Sequence, residues 1–148
     1  MNFGFSFVGA VFIIMLVIPN IVWNSYRPAG YHSGSENRIL VILEKIGQVL
    51  CFFLALFCGN EFSAFLWVAI ILMILYEIYW IRYFKSSRTL KDMYGNLAYI
   101  PVPGATLPVV AFFFLGIASD NWFLIASSII LAIGHIGIHL GHKKEIEE

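Results

Sequence analysis

The chain has 148 residues, of which 60% are hydrophobic and 12% charged, with a mean hydropathy of +0.84. Soluble domains carry about a quarter charged residues, so this composition belongs in a bilayer rather than in water. Nine basic and nine acidic residues give a net charge of zero, which argues against a nucleic-acid partner, and the length predicts one domain covering 1–148.

The expected fold is all-α, with five transmembrane helices over roughly 3–23, 39–59, 63–84, 97–117 and 121–141. The first begins at Phe3 with no Lys or Arg before it, so it lacks the basic start of a signal peptide and is expected to stay as a helix. A polar connection, NSYRPAGYHSGSENR over 24–38, follows, and its end from Ser35 to Arg38 offers caps for the second helix. Cys51 and Cys58 lie in that second helix about 10 Å of rise apart, too far to bond to each other. Short connections around Glu61 and Asp120 predict antiparallel hairpins of spans two and three and of spans four and five. The connection 85–96, KSSRTLKDMYGN, predicts a short interfacial turn. Pro101, Pro103, Gly104 and Pro108 predict a fourth helix broken at its cytoplasmic end and regular only beyond Pro108.

The charges set the orientation. All nine Lys and Arg fall in or beside the first connection, the third connection and the tail. With five spans these regions share one side, which the positive-inside rule makes cytoplasmic, leaving the N-terminus outside. A four-span chain would split them. The expectation is a multi-pass protein of the cell membrane.

Near the end stands GHIGIHLGH, 134–142, with His135, His139 and His142 at i, i+4 and i+7 on one helical stripe. Gly137 and Gly141 lie on roughly the opposite side, a small-residue surface suited to another helix, including one from a second copy. Asn20, Glu44, Glu77 and His135, on four different helices, come out about 5–10 Å below the cytoplasmic interface at 1.5 Å per residue. Gln48 and Cys51 continue the stripe of Glu44. Ionisable groups at that depth usually face the bundle interior and mark function. The outer halves are almost wholly apolar, so no conduction path runs across one protomer.

Three readings follow. One is a pocket in the cytoplasmic leaflet, formed by Asn20, Glu44, Gln48, Glu77, His135 and His139, that binds a small or amphipathic ligand or a divalent metal, with His135 and His139 as metal ligands and Glu77, or else Glu44, completing the shell. Haem does not fit, because two histidines on one face cannot supply both axial ligands. The second is an enzyme acting on a lipid-like substrate, with Glu77 and His135 as acid and base or as ligands of a catalytic metal. Here Glu77 is expected to pair with His135. The third is a non-catalytic subunit whose polar layer only sets packing.

For several features the plainer account competes. His139 and His142 suit the headgroup level, and Glu44 suits a pair with Lys45 or Arg38. Arg82, Lys85, Arg88 and Lys91 suit an anionic headgroup or orientation alone. Tyr76, Tyr79 and Tyr83, spaced i, i+3, i+7, read as packing residues rather than a ligand cage.

Overall fold

A computed structural model describes residues 4–32, 36–59 and 62–148. Phe3, Ser35 and Glu61, which entered the expectations above, lie outside the described residues. Among those described, regular structure is helical throughout: α1 Phe7–Ser25, α2 Arg38–Ala55, α3 Ala64–Lys85, α4 Leu90–Tyr94, α5 Pro103–Ala118, α6 Trp122–Leu131 and α7 Gly137–Glu147. A π-helical turn, Ala132–Ile136, joins α6 to α7 without a break.

Three helices are long and apolar enough to cross a membrane: Phe7–Ser25, Ala64–Lys85 and the continuous rod Trp122–Glu147. The other two long helices differ for separate reasons. α2 carries Arg38, Glu44 and Lys45 in its first half. α5 has 16 residues, about 24 Å at 1.5 Å per residue, against about 30 Å of hydrocarbon. Large apolar side chains cover the outside, among them Phe7 at 74% exposure, Ile39 at 67% and Phe53 at 60%. Such a surface is suited to lipid rather than water.

Helix starts follow local chemistry. Ser6, Asn37, Ser63 and Asn121 each accept a hydrogen bond from a backbone N–H of the first turn of α1, α2, α3 and α6. α4 begins with a reciprocal capping box between Thr89 and Asp92. The break expected up to Pro108 is shorter than the prolines suggested, since helix runs from Pro103 onward. Pro103 occupies the first helical turn, where its missing N–H has no partner to lose, and Pro108 sits inside the helix. The turn into α5 falls on Val102, a buried β-branched residue held at φ 40° and ψ 59°.

The interior is built on α3 against α5 and α2 against α6. Tyr76, Tyr79 and Tyr83 face inward, and each hydroxyl reaches a different segment. Tyr76 Oη accepts from Asn20 Nδ2 of α1 at 2.9 Å, Tyr79 Oη donates to the Met93 carbonyl of α4 at 2.8 Å, and Tyr83 Oη donates to the Tyr26 carbonyl at 3.0 Å. A Cβ on Gly104 would lie 2.9 Å from the Tyr79 ring, so the start of α5 packs closely on that side chain of α3. On the other seam, a Cβ on Gly134 would lie 2.3 Å from the Glu44 nitrogen, and one on Gly47 would lie 2.5 Å from the Leu131 nitrogen. Only glycine permits these crossings.

α1 touches its neighbours sparingly. At its start a Cβ on Gly9 would fall 1.8 Å from the Ala55 carbonyl oxygen, and Ser6 N–H donates to the Leu56 carbonyl at 2.9 Å. Toward its C-terminal end α1 leans on α3 through Asn20 and parts from α2. A cavity fills the gap.

Candidate functional site

Because successive long helices run antiparallel, the last half of α1 and α3 and the first half of α2 and α5 meet at the same end of the bundle as the π turn and α7. The cavity at that end has a volume of about 630 Å³. Asn20 of α1, Glu44 and Gln48 of α2, and His135, His139 and His142 line it. Its apolar lining includes Phe52 and Leu131, one turn away from Gln48 and His135 on the same helices, with Val109 and Phe112 of α5. Asn20, Ile21 and Gln48 are both lining and exposed, so the cavity opens along the seam between α1 and α2.

Gly134 explains the polar wall. It lets the α2 backbone approach the π turn at the level of Glu44, and the Glu44 carboxylate meets His135 Nδ1 through Oε1. With Nδ1 so engaged, the other ring nitrogen of His135 is the one available to a ligand. The His139 ring follows at 4.5 Å from that of His135, centroid to centroid. Tyr94 of α4 packs edge-on against His139 at 5.4 Å and stacks on His142 at 5.3 Å. His142 Nε2 meets Glu36 Oε1 at 3.0 Å, and its Nδ1 lies 3.5 Å from Glu145 Oε2. Two imidazole–carboxylate pairs therefore stand one above the other, the second tying the chain before α2 onto α7.

Five of the six expected pocket residues come together here: Asn20, Glu44, Gln48, His135 and His139. Glu77 does not. It is absent from the cavity lining, it lies on the stripe of α3 that includes the exposed Ile74 and Ile81, and its buried Oε1 has no hydrogen-bond partner. The expected Glu77–His135 pair is replaced by Glu44–His135. The reason is geometric: both carboxylates sit at similar depth, but Gly134 brings α2, not α3, against the histidine. The pairs weighed for Glu44 with Lys45 or Arg38 do not form either. The expected metal set of His135, His139 and Glu77 is likewise not assembled, and among the described residues no three His, Cys, Asp or Glu side chains gather for an ion.

The small-residue face also resolves differently. Gly137 packs against Leu40 of its own chain, with a Cβ there 3.2 Å from Leu40 Cδ1, whereas Gly141 faces open space. Both cysteines are free and buried: Cys51 Sγ lies 3.7 Å from Ser128 Oγ, and Cys58 Sγ donates to Ser6 Oγ at 3.2 Å.

Sequence reading did not anticipate Glu36, Tyr31 and Tyr94 as lining groups. Glu36 was legible only as an ionisable residue near a helix start, and nothing in the spacing links Tyr94 to histidines more than 40 positions away. Burial, the largest cause, together with the nearby Glu36 raises the Tyr31 hydroxyl above the ordinary tyrosine range. Burial does the same to Tyr94, with Tyr31 and Glu36 adding to it. Both hydroxyls therefore stay protonated at the cavity's polar rim.

No family model, curated protein or solved structure matches the chain.

Proposed function

We propose that this chain is a five-span membrane protein that binds an amphipathic molecule in the cavity beside α1. The reading rests on one observation: a space of about 630 Å³ whose lining passes from polar to apolar along the same helices, from Glu44 and Gln48 to Phe52 and from His135 to Leu131. Binding pockets of this size are mostly apolar with a few placed polar groups, and Glu44, His135, Asn20 and Gln48 fill that role here. The ligand's head meets the polar wall, and its tail lies against Phe52 and Phe112 and leaves along the α1–α2 seam.

The five-span reading adds α2 and α5 to the three long apolar rods, with their polar or short ends completed by the connections. All nine Lys and Arg then share one face, which makes the cavity cytoplasmic-side and the N-terminus external. Thiol labelling of cysteines introduced at Lys91 and Lys144 should require a membrane-permeant reagent in intact cells. Labelling of position 144 by an impermeant one breaks the topology.

Native mass spectrometry of the protein released from mild detergent tests the pocket. One retained amphiphile per chain is expected, lost in Gln48→Trp, which crowds the mouth at an exposed position. A chain that retains nothing overturns the reading.

A second reading, catalysis on a lipid-like substrate, is favoured by the Glu44–His135 pair. A carboxylate that holds one imidazole nitrogen orients the other as a base, the arrangement general acid–base chemistry uses. Turnover of the retained amphiphile that disappears in His135→Ala while retention persists would support it. Unchanged turnover would dismiss it.

A further inference from the structure

The charges on the cavity wall go further than amphipathic binding and, resting on the pocket reading above, they narrow the ligand's head. Among the described residues that line the cavity there are two carboxylates, Glu36 and Glu44, and neither a lysine nor an arginine. Each carboxylate engages an imidazole through Oε1, Glu44 with His135 and Glu36 with His142. A phosphate or carboxylate head placed beside them would meet like charge in a space of low dielectric where no lysine or arginine lines the wall and the imidazoles of His135 and His142 each already face a carboxylate.

Aromatic rings stand beside these carboxylates. Trp23, Tyr31 and Tyr94 line the wall near the carboxylates, and ring faces attract cations. Two of them already have a cation, since the Arg27 guanidinium carbon lies 5.0 Å from the Trp23 ring centroid and 5.8 Å from that of Tyr31, so the carboxylates rather than these two rings carry the preference. We propose that the cavity takes an amphiphile with an ammonium head, held by the Glu36 and Glu44 carboxylates, its chain against the apolar lining around Phe52 and Phe112. The chain reaches this position sideways along the seam, where Asn20, Ile21 and Gln48 are exposed, so the molecule need not leave the bilayer.

The test compares three probes with one tail: dodecyltrimethylammonium, dodecyl maltoside and dodecyl phosphate. Saturable binding to the protein in nanodiscs of neutral galactolipid is measured by equilibrium dialysis and corrected with empty discs. The ammonium probe should bind at least tenfold more tightly than the maltoside, and the phosphate should not bind saturably. In Glu36→Gln with Glu44→Gln the ammonium probe should lose at least tenfold in affinity, so that its preference over the maltoside vanishes.

Equal or tighter binding of the maltoside or the phosphate overturns the ammonium head and leaves the pocket standing. A protein that binds none of the three saturably overturns both. The ranking on the unaltered chain decides the matter by itself, so a double variant that fails to fold does not rescue the proposal.

Discussion

The two ends of the α1–α2 seam differ sharply. At one end Gly9 meets the Ala55 carbonyl so closely that a Cβ would overlap it, and Ser6, Cys58 and Leu56 are joined by hydrogen bonds. At the other, Asn20 and Gln48 both line an open cavity, and α1 is held instead by two tyrosines of α3, Tyr76 at Asn20 and Tyr83 at the Tyr26 carbonyl just past its end. The seam is a wedge: backbone contact fixes its closed end, and side-chain size sets the width of its open end. Asn20, Glu44 and Gln48 lie where the wedge is open, because there they reach a cavity instead of lipid. Glu77, equally deep but on another face, shows what depth without the cavity produces, a carboxyl oxygen without a partner.

This contrast can be broken most strongly at the glycine that carries the polar wall. Gly134→Val puts a branched side chain where even a Cβ meets α2 backbone, and overpacking of this kind costs about 1–3 kcal/mol or more. A large fall in the midpoint of thermal unfolding in detergent is expected, whereas Gly141→Val, in open space, should leave it nearly unchanged. Equal effects at the two positions would deny that α2 and the π turn cross at backbone distance.

Next in size is the pair itself. Glu44→Ala leaves His135 without its carboxylate at a half-buried site and should cost about 1–2 kcal/mol, while Glu44→Gln, which keeps an acceptor, should cost less. If Glu77→Ala proves the more destabilising, the assignment of the carboxylate is wrong.

Tyr79→Phe removes the hydroxyl that donates to the Met93 carbonyl, and the loss should be about 1 kcal/mol. Its signature is local: faster amide exchange in α4 with the remaining helices unaltered. Exchange accelerated evenly over the chain would show that α4 is not separately held.

The smallest effect concerns acid. Hydrogen bonds from the Thr89 N–H, the largest cause, and from the Thr89 hydroxyl hold the Asp92 carboxyl below its ordinary range. A lowered folded-state value means that the stabilisation is present above the unfolded value near pH 4 and is lost as pH falls through the folded one. For so exposed a group the gain is a few tenths of a kcal/mol. α4 should fray below about pH 4, and Asp92→Asn should flatten that acid limb. An acid limb that survives in the variant places its origin elsewhere.

Composition and periodicity alone determine that this chain is helical and made for lipid, because an apolar run must satisfy its backbone internally wherever it lies. Helix positions over α1, α3 and the last rod, a cap just before Arg38 and the short connection around Asp120 are legible from residue type and spacing, and the shared depth of Asn20, Glu44 and His135 from rise per residue. Depth, however, is one coordinate. Which helix faces which is set by close approach, and a glycine in sequence does not announce its partner: Gly137 and Gly141 stood out by spacing, yet Gly134, Gly47 and Gly9 make the decisive crossings. The π turn adds a residue to one turn of the histidine helix, which no side-chain pattern marks. Tertiary packing therefore decided that Glu44 rather than Glu77 meets His135, that Glu36 and Tyr94 join the wall, and that the polar layer surrounds a cavity open between α1 and α2.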